Sequence, residues 1–186
     1  QEPIKFFRTT ATATLRLDRA LQLERLNKLC LNNANALMSS LEFCADNGIG
    51  AFRINSQILP LKTHPQAGYD IAELPSAKEI VNQFKASGTY ARKNGLRLSF
   101  HPDQFVVLNS PKPSTLAHSR AELTYQAEVA EWVGADTINI HGGGAYGDKS
   151  AALATLQESI EQLPAQIRSR LTLENDDKVF TPADLL

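Results

Sequence analysis

The hydrophobic positions along this chain fall into two alternating rhythms. From about Asp18 to Asn47, Leu26, Leu29, Cys30, Leu37, Leu41 and Cys44 recur at a helical period, and Asn47-Gly48 supplies a stop. The polar run of Asn32, Asn33 and Asn35 interrupts the middle of that pattern. Short apolar runs then appear at 50–55, 96–100, 137–140 and 170–173, each of strand length. Between them lie further helical patterns. Ser76-Ala-Lys-Glu79 reads as a capping box opening a helix with Ile80, Phe84 and Ala91 on its inner face, ended by Asn94-Gly95. A helix from near Ser114 buries Leu116, Leu123, Ala127 and Ala130 and stops at Gly134. Asp148 caps another, with Leu153, Leu156, Ile160 and Leu163 on its face, and Pro164 breaks it. Thr181-Pro182 reads as one more helix start. Residues 1–18 predict no clear element, and 56–75 predicts a long polar loop.

Strand and helix therefore alternate along the chain, which predicts an α/β fold with a parallel sheet. Each unit takes roughly 40 residues, close to what an eight-unit barrel spends. The expectation is a single domain over 1–186, part of a TIM (β/α)8-type barrel lacking its first strand and its last units. An open sheet of four parallel strands is the competing architecture, and periodicity does not separate the two. An unclosed sheet would leave edges through which the chain could self-associate.

Composition adds little to this and excludes some partners. The chain has 186 residues, 42% hydrophobic and 21% charged, with a net charge of -1, so no overall basic balance advertises nucleic acid. No run approaches the roughly 18 apolar residues of a membrane span. A helix carrying both Cys30 and Cys44 holds them roughly 21 Å apart, beyond disulfide reach, and two unpaired thiols suggest the cytoplasm.

The candidate chemistry sits where the apolar runs end. Leu96–Phe100 leads to His101, Thr137–Ile140 leads to His141, and Leu171–Leu173 leads to Glu174, while Gly50–Asn55 is followed at short range by His64. Parallel α/β sheets keep their sites at the carboxyl ends of strands, so these four groups should converge on one mouth. A single strand-end histidine is more often an ordinary polar or capping group. Three imidazoles and a carboxylate from successive units form a set suited to Zn²⁺, Mn²⁺ or Fe²⁺. His118, on a helix among polar neighbours, reads as surface, and Asp176 as a capping or supporting group.

Gly142-Gly143-Gly144 is a tight turn or an approach of backbone amides to an anion. Without a following Lys-Ser/Thr it is not a nucleotide P-loop, so no nucleotide cofactor is expected. Arg53 is either a structural residue of the barrel or a phosphate contact. Gln104-Phe105 is either loop packing or a polar–aromatic pair able to stack on nucleobases.

Phe52-Arg-Ile-Asn-Ser56 with Leu59-Pro-Leu-Lys-Thr-His-Pro65, Leu98-Ser-Phe-His-Pro-Asp-Gln-Phe105, Ile138-Asn-Ile-His-Gly-Gly-Gly-Ala-Tyr-Gly-Asp-Lys149 and Leu171-Thr-Leu-Glu-Asn-Asp-Asp-Lys178 together resemble the UV damage endonuclease family. The resemblance runs over nearly the whole chain in order. It implies a xylose-isomerase-like TIM barrel, related to abasic-site endonucleases and sugar isomerases. The implied activity is metal-dependent nicking of damaged double-stranded DNA immediately 5′ of UV photoproducts and other lesions. The implied cofactor is a divalent cluster, most commonly Mn²⁺, with Zn²⁺ or Mg²⁺ as alternatives.

By the same resemblance His64, His101, His141 and Glu174 match metal ligands, with Glu174, His101 and His141 catalytic. Gln104 and Phe105 match a lesion-probing Gln-Tyr pair, Phe105 keeping the stacking face and losing a hydroxyl. Arg53, Gly142, Gly143 and Lys149 are candidate phosphate contacts, with Lys112 a further basic residue. The family's first strand and its later ligand-bearing strands have no counterpart in this sequence. Three other functions stay open: an abasic-site endonuclease using a similar metal cluster, a sugar isomerase or epimerase of the same barrel class, and a metal-holding scaffold without catalysis.

Overall fold

The computed structural model describes residues 3–176 and 178–186. Four parallel strands, β1 (Ala51–Ile54), β2 (Arg97–Phe100), β3 (Thr137–His141) and β4 (Leu171–Glu174), form one sheet in the order β1-β2-β3-β4. The main helices are α2 (Arg19–Asp46), α3 (Ala77–Lys93), α4 (Pro113–Val133) and α5 (Lys149–Glu161), with single-turn helices α1 (Ala11–Thr14), α6 (Ala165–Arg168) and α7 (Pro182–Leu185). A doubly wound sheet reverses its strand order at a switch point, with helices on both faces. Here the spatial order follows the chain order throughout the described strands, and α2 packs on α3, α3 on α4, and α4 on α6. This is the arrangement of an arc of TIM-barrel type, with the helices side by side on the outside.

The pleat sorts the strand residues into two faces. Ile54, Leu98, Phe100, Ile138 and Ile140 are buried against the helices, with Leu171 and Leu173 half-buried beside them. The alternate residues are polar: Arg53 on β1, Arg97 and Ser99 on β2, Thr137, Asn139 and His141 on β3, and Thr172 and Glu174 on β4. Strands of a parallel sheet buried on both faces read as continuous apolar runs. These strands alternate instead, so apart from Ala51 one face of the sheet is polar, and it carries the strand-end groups.

The core between sheet and helices holds Phe84, Phe100, Leu26, Leu37 and Leu41, all fully buried. Phe84 meets Trp132 of α4 with ring centroids 6.0 Å apart. The α3–α4 approach is close enough that a Cβ added at Gly88 would lie 2.3 Å from the Val133 carbonyl oxygen. Gly88 thus sets the spacing of that helix pair.

The structure keeps the expected helix through the Asn-rich stretch and changes three other local expectations. Asn33 is fully buried within α2, and its amide is saturated by tertiary partners. Its Oδ1 accepts from Phe7 N–H (2.7 Å), and its Nδ2 donates to Phe7 O (2.8 Å) and Ile58 O (2.9 Å). The capping box at Ser76-Ala-Lys-Glu79 does not form. Ser76 precedes α3 without a side-chain cap; its Oγ accepts from Asn27 Nδ2 (3.2 Å) and its N–H donates to Asn27 Oδ1 (2.8 Å), tying α3 to α2. The first eighteen residues hold α1, capped by Thr10. The 56–75 loop contains a 3-10 turn, Ile71–Glu73, and Glu73 is bridged to Arg19 at 2.9 Å. The remaining stops fall where expected, with Gly134 left-handed at the end of α4 and Asp148 capping α5 through Ala151 N–H (3.0 Å).

Candidate metal centre

Parallel pairing aligns the carboxyl ends of neighbouring strands, and the register does the rest. His141 is the last residue of β3 and pairs directly with Glu174, the last residue of β4. His101 immediately follows β2, where Pro102 ends the strand. The ligand atoms of His101, His141 and Glu174 all lie within 4.8 Å of one another. The two imidazoles meet edge to face, with ring centroids 5.0 Å apart.

His101 is hydrogen-bonded through both nitrogens. Nε2 lies 2.6 Å from Glu174 Oε2, and Nδ1 lies 3.0 Å from the Pro102 carbonyl. Nδ1 faces the backbone carbonyl, so a cation bound here would take the place of the proton shared between Nε2 and Glu174 Oε2, the arrangement that supports a metal-bound histidine. Asn139, two residues before His141 and on the same polar face, donates Nδ2–H to Glu174 Oε2 (2.9 Å). Its Oδ1 accepts in turn from Thr172 Oγ (2.8 Å), which fixes the orientation of the amide. The hydrogen bond from His101 holds the Glu174 carboxyl below its usual range, against partial burial, with the His101 and His141 rings and Asn139 adding to the effect. Glu174 is therefore a carboxylate at neutral pH, and two nitrogens and a carboxylate make a donor set that fits a divalent transition ion.

His64 stands outside this group. Its Nδ1 accepts from the N–H groups of Gln66 (3.2 Å) and Ala67 (3.1 Å), and it lines a neighbouring pocket with Asp103, Phe105, His118 and Glu122. Glu122 accepts there from the Thr63 hydroxyl. Gln104 and Phe105 lie on the loop just past His101, and both are exposed. Phe105 is 70% exposed, while Val106 beside it is buried. Asp103 fixes that turn, with Oδ1 accepting from Phe105 N–H (3.0 Å) and its carbonyl from Val106 N–H (2.9 Å). Arg53 projects from the polar face beside His101 and Asn55. Among the described residues it makes no salt bridge.

The glycine run is a packed turn. Gly142 N–H donates to the Glu174 carbonyl (3.3 Å), so that amide continues the β3–β4 pairing and is not turned toward a ligand. Lys149 is engaged with Asp184 (2.7 Å) and lies over the Phe180 ring, and Lys112 is exposed. Asp176 caps a turn by accepting from the N–H groups of Lys178 (2.7 Å) and Val179 (2.5 Å). His118 is exposed on α4, and Cys30 and Cys44 are buried and unpaired. No described helix is long and apolar enough to cross a membrane.

Asn139 is the residue that strand-end reasoning passes over. Its signal was present in the two-residue alternation that puts it on the same face as His141.

Parallel strands in sequential order, with two imidazoles and a carboxylate convergent at their carboxyl ends, define a barrel-type α/β protein with a group that could hold a cation. The family described as UV-endonuclease UvdE matches residues 1–186, and the chain belongs to that family. The UV DNA damage endonuclease of Bacillus pumilus (strain SAFR-032) is 41% identical over 152 residues, covering 80% of this chain and 46% of the relative. That of Bacillus cereus (strain Q1) is 34% identical over 180 residues, covering 95% of this chain and 55% of the relative. The crystal structure of SacUVDE superposes with a TM-score of 0.83 at 30% identity, over 96% of this chain and 58% of that one. The chain spans about half the length of the curated relatives it matches.

Proposed function

We propose that this chain forms the metal-binding and lesion-contacting part of an endonuclease that nicks double-stranded DNA immediately 5′ of UV photoproducts. The observation that carries this reading is the convergence of His101, His141 and Glu174 at adjacent strand ends, in a chain of the UvdE family. His101 and His141 offer nitrogens and Glu174 an oxygen to a divalent ion, Mn²⁺ in this reading. His64 lies outside that trio and is proposed as a ligand of a further ion of the cluster through Nε2, the nitrogen its backbone hydrogen bonds leave free. A bound divalent cation supplies positive charge to the scissile phosphate and lowers the pKa of water beside it.

The chain's own residues prepare for this. Thr172 orients Asn139, and Asn139 holds Glu174 as an ionised acceptor. The Pro102 carbonyl holds His101 with Nε2 toward the group. Arg53, on the same polar face, is a cation for a phosphate oxygen. Lys149 is a weaker candidate for that role, because Asp184 already engages it. Gln104 and Phe105 project from the mouth loop, where an aromatic face stacks on bases that a damaged, more easily unstacked step exposes.

The test is nicking of supercoiled plasmid by the purified protein with Mn²⁺, on untreated, UV-irradiated and abasic DNA. Nicking that follows UV dose is expected. Nicking confined to abasic plasmid would move the protein to a neighbouring repair activity. No nicking, with metal bound and a free sugar turned over, would move it to the isomerases.

A further inference from the structure

Two strands carry the histidines of the metal group, and each is followed by an exposed aromatic residue. Phe105 comes four residues after His101, and Tyr146 comes five residues after His141. Tyr146 is 52% exposed. Among the described residues its hydroxyl makes no hydrogen bond and its ring has no aromatic partner.

The backbone at Tyr146 is unusual. Its φ is +50°, Gly147 follows at +93°, and Asp148 N–H donates to Ala145 O (3.0 Å). A turn with both central residues at positive φ belongs to glycine, asparagine and aspartate. A tyrosine at its first central position is a strained choice, of the kind retained where a side chain must be presented. Both ends of the turn are held. Asp148 is the cap of α5, accepting from Ala151 N–H. On the other side the buried Asn109, from the loop that carries Phe105, donates Nδ2–H to Gly144 O (2.9 Å). A Cβ at Gly143 would lie 2.0 Å from Asn109 Oδ1, so only glycine admits this approach. A Cβ at Gly144 would lie 3.1 Å from Tyr146 Cζ, so the ring rests on the backbone there and leaves its other side to solvent.

Asn109 therefore joins the two loops into one platform with an exposed aromatic on each. We propose that Tyr146 is a second aromatic contact for DNA, stacking on a base or sugar beside the step that Phe105 engages. This rests on the proposed function above and adds a residue that the strand-end reading did not include.

The experiment measures binding of the protein, in Mn²⁺, to a fluorescent duplex carrying one thymine dimer. It compares the unaltered protein with Tyr146→Gly, Tyr146→Phe and Phe105→Ala, and records the thermal midpoint of each. Glycine suits positive φ, so Tyr146→Gly should melt at or above the unaltered protein and yet bind the duplex about tenfold more weakly, as loss of one stacked base predicts. Tyr146→Phe keeps the ring and should bind within about twofold. A tyrosine needed only to hold the turn would lose stability along with binding. If Phe105→Ala weakens binding and Tyr146→Gly does not, the Tyr146 contact is refuted and the DNA reading stands. If the unaltered protein does not bind the duplex, both fall.

Discussion

Asn139→Ala isolates the support of the metal group without touching a ligand. The substitution removes the amide N–H that Glu174 Oε2 accepts at 2.9 Å and frees the Thr172 hydroxyl that donated to it. Thr172 is exposed, so water replaces its partner, and the cost falls on Glu174. A hydrogen bond to a charged group contributes about 1.5–3 kcal/mol when well shielded. The Glu174 side chain is 43% exposed, which places this one toward the lower end. About 1.4 kcal/mol is a factor of ten, so Mn²⁺ affinity should fall roughly tenfold, within the range typical of residues that orient a ligand. Calorimetric titration of Mn²⁺ into the variant and the unaltered protein measures this, with circular dichroism as the control for folding. An affinity within twofold of the unaltered protein, in a folded variant, would refute the idea that Asn139 holds Glu174 for a cation.

Three further outcomes test the fold. Asn33→Ala removes an amide with three backbone partners in a fully buried site; it should destabilise by about 2–4 kcal/mol, read from chemical denaturation. Gly88→Ala gains up to about 1 kcal/mol of helix propensity but forces a Cβ against the Val133 carbonyl, so a net loss of about 1–3 kcal/mol is expected, and a raised melting temperature would refute the close-packing argument. Asp184 is pulled down to about 2, first by the Lys149 hydrogen bond and then by Thr181. A depressed carboxyl stabilises fully above its unfolded pKa, so the α7 corner should be intact above about pH 4 and loosen as pH falls toward 2, seen as lower amide protection at 183–185 relative to the intrinsic rate at each pH; in Asp184→Asn that pH dependence should disappear.

Much of the fold was legible because its signals are local. The strand and helix alternation, the stop at Asn94-Gly95, the Asp148 cap and the Pro164 break all depend on neighbours a few residues away. Ser76 misled, and Asn33 weakened a helix pattern that nonetheless holds, for the complementary reason. Both side chains spend their hydrogen bonds on partners far along the chain, Ser76 on Asn27 and Asn33 on Phe7 and Ile58. The sequence read one as a helix cap and the other as a weak point in a helix.

The sequence by itself determined that a histidine or a carboxylate would stand at the end of each of three short strands, because Pro102, the Gly142–Gly144 run and the polar Asn175-Asp176 follow the apolar stretches there. Which of those groups meet was decided only by the tertiary structure. His101 and Glu174 come within 2.6 Å through the order of the strands, and His141 faces Glu174 through the β3–β4 register. A slip of one residue in that register would have turned Glu174 to the apolar face. His64 sits on a loop rather than at a strand end, so no register fixes it, and the backbone N–H groups of Gln66 and Ala67 hold its ring outside the group. The turn that presents Tyr146 was equally beyond the sequence, since the contact that locks it comes from Asn109 on another loop.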